Sequence, residues 1–124
     1  TAVSDARFVV LTTPLSEATR GLVDGGVFEA MRDDAYLINV SRGEIVAEGA
    51  LETALDDDEI AGAALDVFRE EPLPADSPLW DRGEVIVTPH AAAKADSYGD
   101  RIADLVATNV ARLNDGGTPW NRVV

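Results

Sequence analysis

Apolar residues follow two alternating rhythms along the chain. Unbroken runs at Phe8-Val9-Val10-Leu11, Tyr36-Leu37-Ile38-Asn39-Val40, Ile60 to Val67 and Val85-Ile86-Val87 predict four short buried strands. Between them the spacing turns helical. Asp24 is placed to cap a short helix with Val27, Phe28 and Met31 facing inward. A second helix, from Ala47 to Asp57, carries Ala50, Leu51, Ala54 and Leu55 on one face. The last helix is predicted over Asp96 to Leu113, with Ile102, Leu105, Val106, Val110 and Leu113 as its apolar stripe, ended by Gly116-Gly117 and Pro119. Thr12-Thr13-Pro14 closes the first strand, because proline cannot continue a ladder. Pro72, Pro74 and Pro78 stiffen a loop that runs to Trp80.

Strands alternating with helices predict an α/β fold built on a parallel sheet with right-handed crossovers. The strand runs are apolar at successive positions, so both faces of the sheet are expected to be covered. Ala61, Gly62, Ala63 and Ala64 make the third strand slim enough for close packing. This pattern matches one part of a doubly wound nucleotide-binding sheet of the Rossmann type.

Composition narrows the partners. The 124 residues suffice for one core, and 46% hydrophobic content is ordinary for a globular domain. The balance of 23 acids to 10 bases, net −13, is not ordinary. Lys94 is the sole lysine, and acids run together at Asp56-Asp57-Asp58-Glu59. Such a surface repels phosphate backbones, so nucleic acid is not an expected partner. Self-repulsion of this size is relieved by salt, which predicts a halophilic source. There is no cysteine, hence no disulfide framework or thiolate metal site, and no metal is expected. No apolar run approaches the roughly 18 residues of a membrane span, so no membrane partner is expected and a cytoplasmic setting is the default. The first residue is Thr1 rather than Met, and Ala2 to Arg7 reads as a linker feeding a strand, which predicts that the chain begins within a longer protein.

Three charged or titratable residues stand just beyond successive strands: Arg42, Glu71 and His90. In an open parallel sheet the carboxyl edge is where ligands bind. His90 is the only histidine, and Pro89 fixes the backbone before it while pushing Thr88 into extended conformation. Imidazole chemistry suits proton transfer near neutral pH. Glu71, with its geometry restricted by Pro72, is the candidate partner that orients the ring. Arg42, in a turn between Asn39 and Gly43, offers a planar fork that grips a carboxylate in two-pronged fashion. Each has a plainer reading: a surface histidine, one more acid in an acidic chain, a solvated arginine. Asp66, ending the third strand, suits either an amide ligand or a cap for the following loop. Thr13-Pro14 offers a hydroxyl and a rigid wall. A Glu71–His90 hydrolytic dyad lacks a serine or cysteine on a sharp strand-to-helix turn. No pair of glycines has G-x-G spacing, so the dinucleotide phosphate fingerprint is absent.

Four ordered motifs carry a resemblance. Phe8 to Leu11 leading into Pro14-Leu15-Ser16-Glu17-Ala18-Thr19-Arg20-Gly21-Leu22, then Ile38-Asn39-Val40-Ser41-Arg42-Gly43, Ala64-Leu65-Asp66-Val67-Phe68 with Glu71-Pro72-Leu73-Pro74, and Thr88-Pro89-His90 resemble the D-isomer-specific 2-hydroxyacid dehydrogenases, a family that includes D-lactate, D-3-phosphoglycerate and glyoxylate/hydroxypyruvate dehydrogenases. The resemblance implies an oxidoreductase using NAD or NADP on a 2-oxo acid. It implies that Arg42 binds the substrate carboxylate, that His90 is the proton donor and that Glu71 pairs with His90. It gives Asp66 the carboxamide, and Thr13, Pro14, Val40, Ser41, Arg42 and His90 with the backbone of Ala91, Ala92 and Ala93 the nicotinamide pocket. Residues 1–113 would be the nicotinamide side of the dinucleotide-binding domain, and 114–124 a tail leading back to a substrate domain. A homodimer in the intact protein and an inactive fragment in isolation are also implied. Lys94 stands where a small hydroxyl residue is common in the family, Ala92 where glycine is common, and Glu71 where the formate-specific branch has glutamine. The rival reading is a non-catalytic dinucleotide-binding protein, similar to the family's transcriptional corepressors.

Overall fold

Four parallel strands lie side by side in the order β1-β2-β3-β4. They are β1 (Phe8–Leu11), β2 (Tyr36–Asn39), β3 (Gly62–Leu65) and β4 (Val85–Val87). The computed structural model describes residues 2–122. Helix α1 (Gly25–Glu29) joins β1 to β2, and α2 (Glu48–Asp56) joins β2 to β3. A single 3₁₀ turn, Pro78–Asp81, interrupts the proline-rich connection to β4. The chain forms two compact units, one through Ala92 and one from Ala93 onward.

Each strand and α-helix expected from the sequence is present, with ends that differ by up to two residues, as helix and strand ends commonly do. The 3₁₀ turns Gly43–Ile45 and Pro78–Asp81 are additions that the apolar pattern does not predict. The third strand is shortened at both ends. Expected from Ile60 to Val67, it pairs on both sides only over Gly62–Leu65. The flanking residues Ile60 and Val67 are buried, so their apolar character reports the core rather than the ladder. Gly62, at φ +158, has Glu84 carbonyl oxygen 2.3 Å from where a β-carbon would sit. A side chain there would push β4 away.

The core lies on one face of the sheet. Leu11, Leu37, Ala63 and Leu65 point to that side and meet Phe28 and Met31 from the α1 segment and Leu51, Ala54 and Leu55 from α2. Phe28 and Leu37 are completely buried, each worth about 1.5–3 kcal/mol of transfer free energy. Asp24 caps α1, its Oδ1 accepting from Val27 N at 3.1 Å.

Both crossover helices lie on this face, because strands added in the order 1-2-3-4, without reversal, throw every right-handed crossover onto the same side. Among the described residues Phe8, Val10 and Ile86, on the opposite face, are 59%, 52% and 64% exposed.

The second unit contains α3 (Tyr98–Asn114) and the segment after it. Its apolar stripe is as predicted, but Ile102, Val106, Val110 and Leu113 are all exposed. The following segment folds back on the helix: Trp120 N donates to Asn109 Oδ1 at 2.7 Å, and the Arg112 guanidinium lies over the Trp120 ring. Among the described residues no helix is long and apolar enough to cross a membrane.

Candidate active site at the carboxyl edge of the sheet

Past the end of β2, the chain is shaped by one buried amide. Asn39 Oδ1 accepts from Ser41 N at 3.1 Å and from Ser41 Oγ at 2.9 Å, while Asn39 Nδ2 donates to the Arg42 carbonyl at 3.0 Å. This is an Asx turn, the local chemistry that asparagine offers a backbone leaving a strand. Arg42 is thereby carried to the surface in extended conformation, with its Nη1 donating to the Ser41 carbonyl at 2.5 Å. Among the described residues it has no ion pair, so the fork is open to an anion.

Gly43 fixes where this turn meets its neighbour. A β-carbon on Gly43 would lie 1.9 Å from the carbonyl carbon of Phe68 and 2.4 Å from Arg69 N. Two backbones therefore touch at this point, the one following β2 and the one following β3. Glu71 is anchored on the same segment, with Oε1 accepting from Phe68 N at 3.0 Å. Its other oxygen, Oε2, meets His90 Nδ1 at 2.8 Å. The hydrogen bond from His90, then that from Phe68, hold the Glu71 carboxyl below its ordinary value of 4.5; burial opposes them, and the charges of His90 and Arg42 lower it by lesser amounts. A carboxylate at Nδ1 leaves Nε2 as the ring nitrogen that faces outward.

Beyond β4, Thr88 N still donates to the Leu65 carbonyl at 3.0 Å, and His90 N turns back to the Thr88 carbonyl at 3.1 Å. His90 then takes a left-handed backbone, φ +51. Asp66, only 4% exposed, reaches this turn from β3. Burial opposes its charge, but hydrogen bonds from Thr88 Oγ, Ala91 N and Ala92 N and the nearby His90 together keep its carboxyl below the ordinary 3.8.

Two concave surfaces result. A cavity of about 550 Å³ lies against the His90–Glu71 pair, walled by Phe68, Pro72, Leu73, Trp80, Val87, Thr88 and Pro89. A groove of about 530 Å³ is lined by Thr12, Thr13, Pro14, Leu15, Val40, Ser41 and Arg42. Thr13, Pro14, Val40, Ser41 and Arg42, singled out from sequence for the nicotinamide, thus share one groove. Its mixture of apolar wall, hydroxyls and backbone fits a flat amide-bearing ring. Ala91 and Ala92 are instead engaged by Asp66, and Ala93 belongs to the second unit. The other end of a dinucleotide has no glycine-rich phosphate loop here to hold it. No group of three metal-ligating side chains occurs among the described residues.

Sequence reasoning missed several participants: Thr88 Oγ, Phe68 N and the Trp80 wall. Thr88 and Trp80 are unremarkable residue types, and a backbone N–H leaves no mark in a sequence. Only the Thr88-Pro89-His90 run signalled that this turn is shaped.

Residues 1–92 match the family model described as the NAD-binding domain of D-isomer specific 2-hydroxyacid dehydrogenases. Over 121 residues the chain is 39% identical to a glyoxylate reductase of Korarchaeum cryptofilum, covering 98% of the chain and 36% of that relative. It is 45% identical over 112 residues to an (S)-sulfolactate dehydrogenase of Chromohalobacter salexigens, covering 90% of the chain and 36% of the relative. A D-isomer specific 2-hydroxyacid dehydrogenase from Xanthobacter autotrophicus Py2, solved in complex with NADPH and MES, superposes with a TM-score of 0.82 at 39% identity, over 98% of this chain and 50% of that one. The chain thus spans about a third to a half of the proteins it resembles.

Proposed function

Since the chain belongs to the D-isomer specific 2-hydroxyacid dehydrogenase family, whose NAD-binding domain it carries, we propose that the intact protein interconverts a small 2-oxo acid and its 2-hydroxy acid with NAD(H) or NADP(H). The observation that carries this is the 2.8 Å contact between His90 Nδ1 and Glu71 Oε2 at the carboxyl edge of the sheet, beside the open Arg42 fork. The bound nicotinamide supplies or accepts the hydride. Arg42 grips the substrate carboxylate with two parallel hydrogen bonds and sets its orientation. His90 delivers a proton from Nε2 to the carbonyl oxygen, and withdraws it in the reverse direction. Glu71 fixes the ring and stabilises the imidazolium. A proton donor and a guanidinium beside a developing alkoxide are the electrostatic arrangement such a reduction needs.

In the same reading the groove of Thr13, Pro14, Val40, Ser41 and Arg42, together with Asp66, His90, Ala91 and Ala92, forms the nicotinamide end of the cofactor site. Residues 1–113 are the nicotinamide side of the dinucleotide domain, and 114–124 lead back to a substrate domain. The family setting supports a cytoplasmic homodimer. The net charge of −13 supports operation at high salt. The isolated 124 residues are expected to be inactive, with phosphate contacts missing.

The test is a kinetic panel on the intact protein in concentrated potassium chloride, varying oxo acid and coenzyme, beginning with glyoxylate and hydroxypyruvate. Replacing His90 by glutamine should cut turnover by on the order of 100-fold or more. Unchanged turnover in His90→Gln would remove the role assigned to it. No turnover with any oxo acid would favour a dinucleotide-binding protein without catalysis.

A further inference from the structure

Asp66 is the only charged residue that is buried among the described residues. A buried carboxylate is tolerated only where hydrogen bonds replace lost water. Three do so here. Asp66 Oδ1 accepts from Thr88 Oγ at 2.5 Å and from Ala91 N at 2.8 Å, and Oδ2 accepts from Ala92 N at 2.8 Å.

All three donors come from one short stretch, and they bracket His90 on both sides. His90 itself occupies the left-handed region, φ +51, which its β-carbon disfavours and which only surrounding structure can impose. Its side chain is about half exposed, so packing does little to aim the ring. The direction of the imidazole is therefore set by the backbone of the turn, and that backbone is held by Asp66.

We propose that Asp66 is a positioning residue for His90, its carboxylate clamping the 88–92 turn in the left-handed conformation that brings Nδ1 to Glu71. The clamp is a role beside the contact with coenzyme proposed above: the chain's own donors fill three of the roughly four acceptor positions of the carboxylate, and one is left over. An amide cannot replace it. Asparagine at 66 would turn an NH₂ group toward at least one of these N–H or O–H donors. The effect on chemistry rests on the role proposed for His90; the clamp itself does not.

The test uses the intact protein with 15N-labelled histidine. The His90 ring resonances are assigned by their loss in His90→Gln. They are then compared in the parent protein, Asp66→Asn and Thr88→Val without coenzyme, beside titrations of NADH binding and steady-state reduction of glyoxylate. In Asp66→Asn the ring should pass from one carboxylate-bonded tautomer to the averaged signature of a free imidazole. Turnover should fall on the order of 100-fold, as displacement by about 1 Å can do. Because Asp66 also stands in the proposed cofactor site, the ring signature without coenzyme is the readout that a coenzyme contact alone would leave unmoved. Thr88→Val, which leaves the carboxylate in place, should move the same signals in the same direction by a smaller amount, and serves alone if Asp66→Asn does not fold.

An unaltered ring signature in both variants overturns the clamp. If the parent protein reduces no oxo acid, the catalytic reading of His90 fails, while the ring signature still decides whether Asp66 positions it.

Discussion

The Asn39 side-chain amide donates to the Arg42 main-chain carbonyl at 3.0 Å, so a buried residue at the end of β2 holds the backbone of an exposed one. Asn39 is 1% exposed and fills its other end with two bonds from Ser41. Replacing it by alanine leaves two Ser41 donors unmet and takes one of two donors from the Arg42 carbonyl, which keeps Ile45 N at 3.3 Å. We expect a loss of about 1–3 kcal/mol, the cost of leaving buried polar groups unmet. Urea unfolding measures it. A change below a few tenths of a kcal/mol would mean that the turn holds without its asparagine.

Gly43 makes a sharper forecast. A methyl group there would stand 1.9 Å from the Phe68 carbonyl carbon, and backbone cannot swing aside as a side chain can. Gly43→Ala should either abolish folding or destabilise by several kcal/mol, as overpacking against a rigid wall does. Gly49, in α2, has nothing within 4 Å of its ideal β-carbon. Gly49→Ala should therefore be neutral or stabilising by up to about 1 kcal/mol. Thermal unfolding of the two variants side by side decides it; similar melting temperatures would contradict the contact.

Much of this edge was legible before any coordinates. Apolar runs placed all four strands because a sheet needs them, and the stripe of Ala50, Leu51, Ala54 and Leu55 placed α2 because only one side of a helix is buried. Arg42, Glu71 and His90 were visible because their chemistry is rare at strand ends. Which side of the sheet α1 and α2 take was not legible. Apolar pattern tells which residues tolerate burial, whereas the order of strands decides where the crossovers lie. The clamp on His90 was hidden for another reason. Asp66 is 25 and 26 residues from Ala91 and Ala92, and their contribution is backbone N–H, which every sequence offers at nearly every position.

Acid should unlock the site. Glu71 is held below its ordinary value first by the hydrogen bond from His90, and Asp66 is lowered by its three hydrogen bonds in spite of burial. For a group whose folded value lies below its unfolded one, the stabilisation is fully present above the unfolded value and is lost as pH falls through the folded one. Stability should thus begin to drop below about pH 4.5 and continue dropping below 3.8, the ordinary values of the two groups. Glu71→Gln should have a shallower acid limb in pH-dependent urea unfolding. Superimposable limbs would show that the His90 contact contributes nothing to folding.

Arg42 tests recognition apart from proton transfer. Arg42 is an exposed residue, and its Nη1 donates to the neighbouring Ser41 carbonyl. Arg42→Lys keeps the charge and removes the planar fork, so stability should change by less than about 0.5 kcal/mol. If Arg42 grips a substrate carboxylate, KM for the oxo acid in the intact protein should rise by on the order of tenfold or more, with NADH binding little changed. An unchanged KM would place the carboxylate elsewhere.

Salt tests the charge balance against its local exceptions. The net charge of −13 predicts self-repulsion that potassium chloride relieves, as the Debye length falls from about 30 Å at 0.01 M to about 3 Å at 1 M. One local pair works the other way. Arg82, 17% exposed at its side chain, meets Asp56 at 2.6 Å and Glu84 at 3.4 Å, and screening weakens both contacts. Surface pairs of this kind are worth about 0–1 kcal/mol each. Thirteen uncompensated charges act over the whole surface, so the repulsion should win and the melting temperature should rise with salt. Arg82→Gln should lower stability most at low salt and least at 1 M. A melting temperature that falls as salt is added would mean that attraction at such pairs, rather than the overall excess of acids, governs this fold.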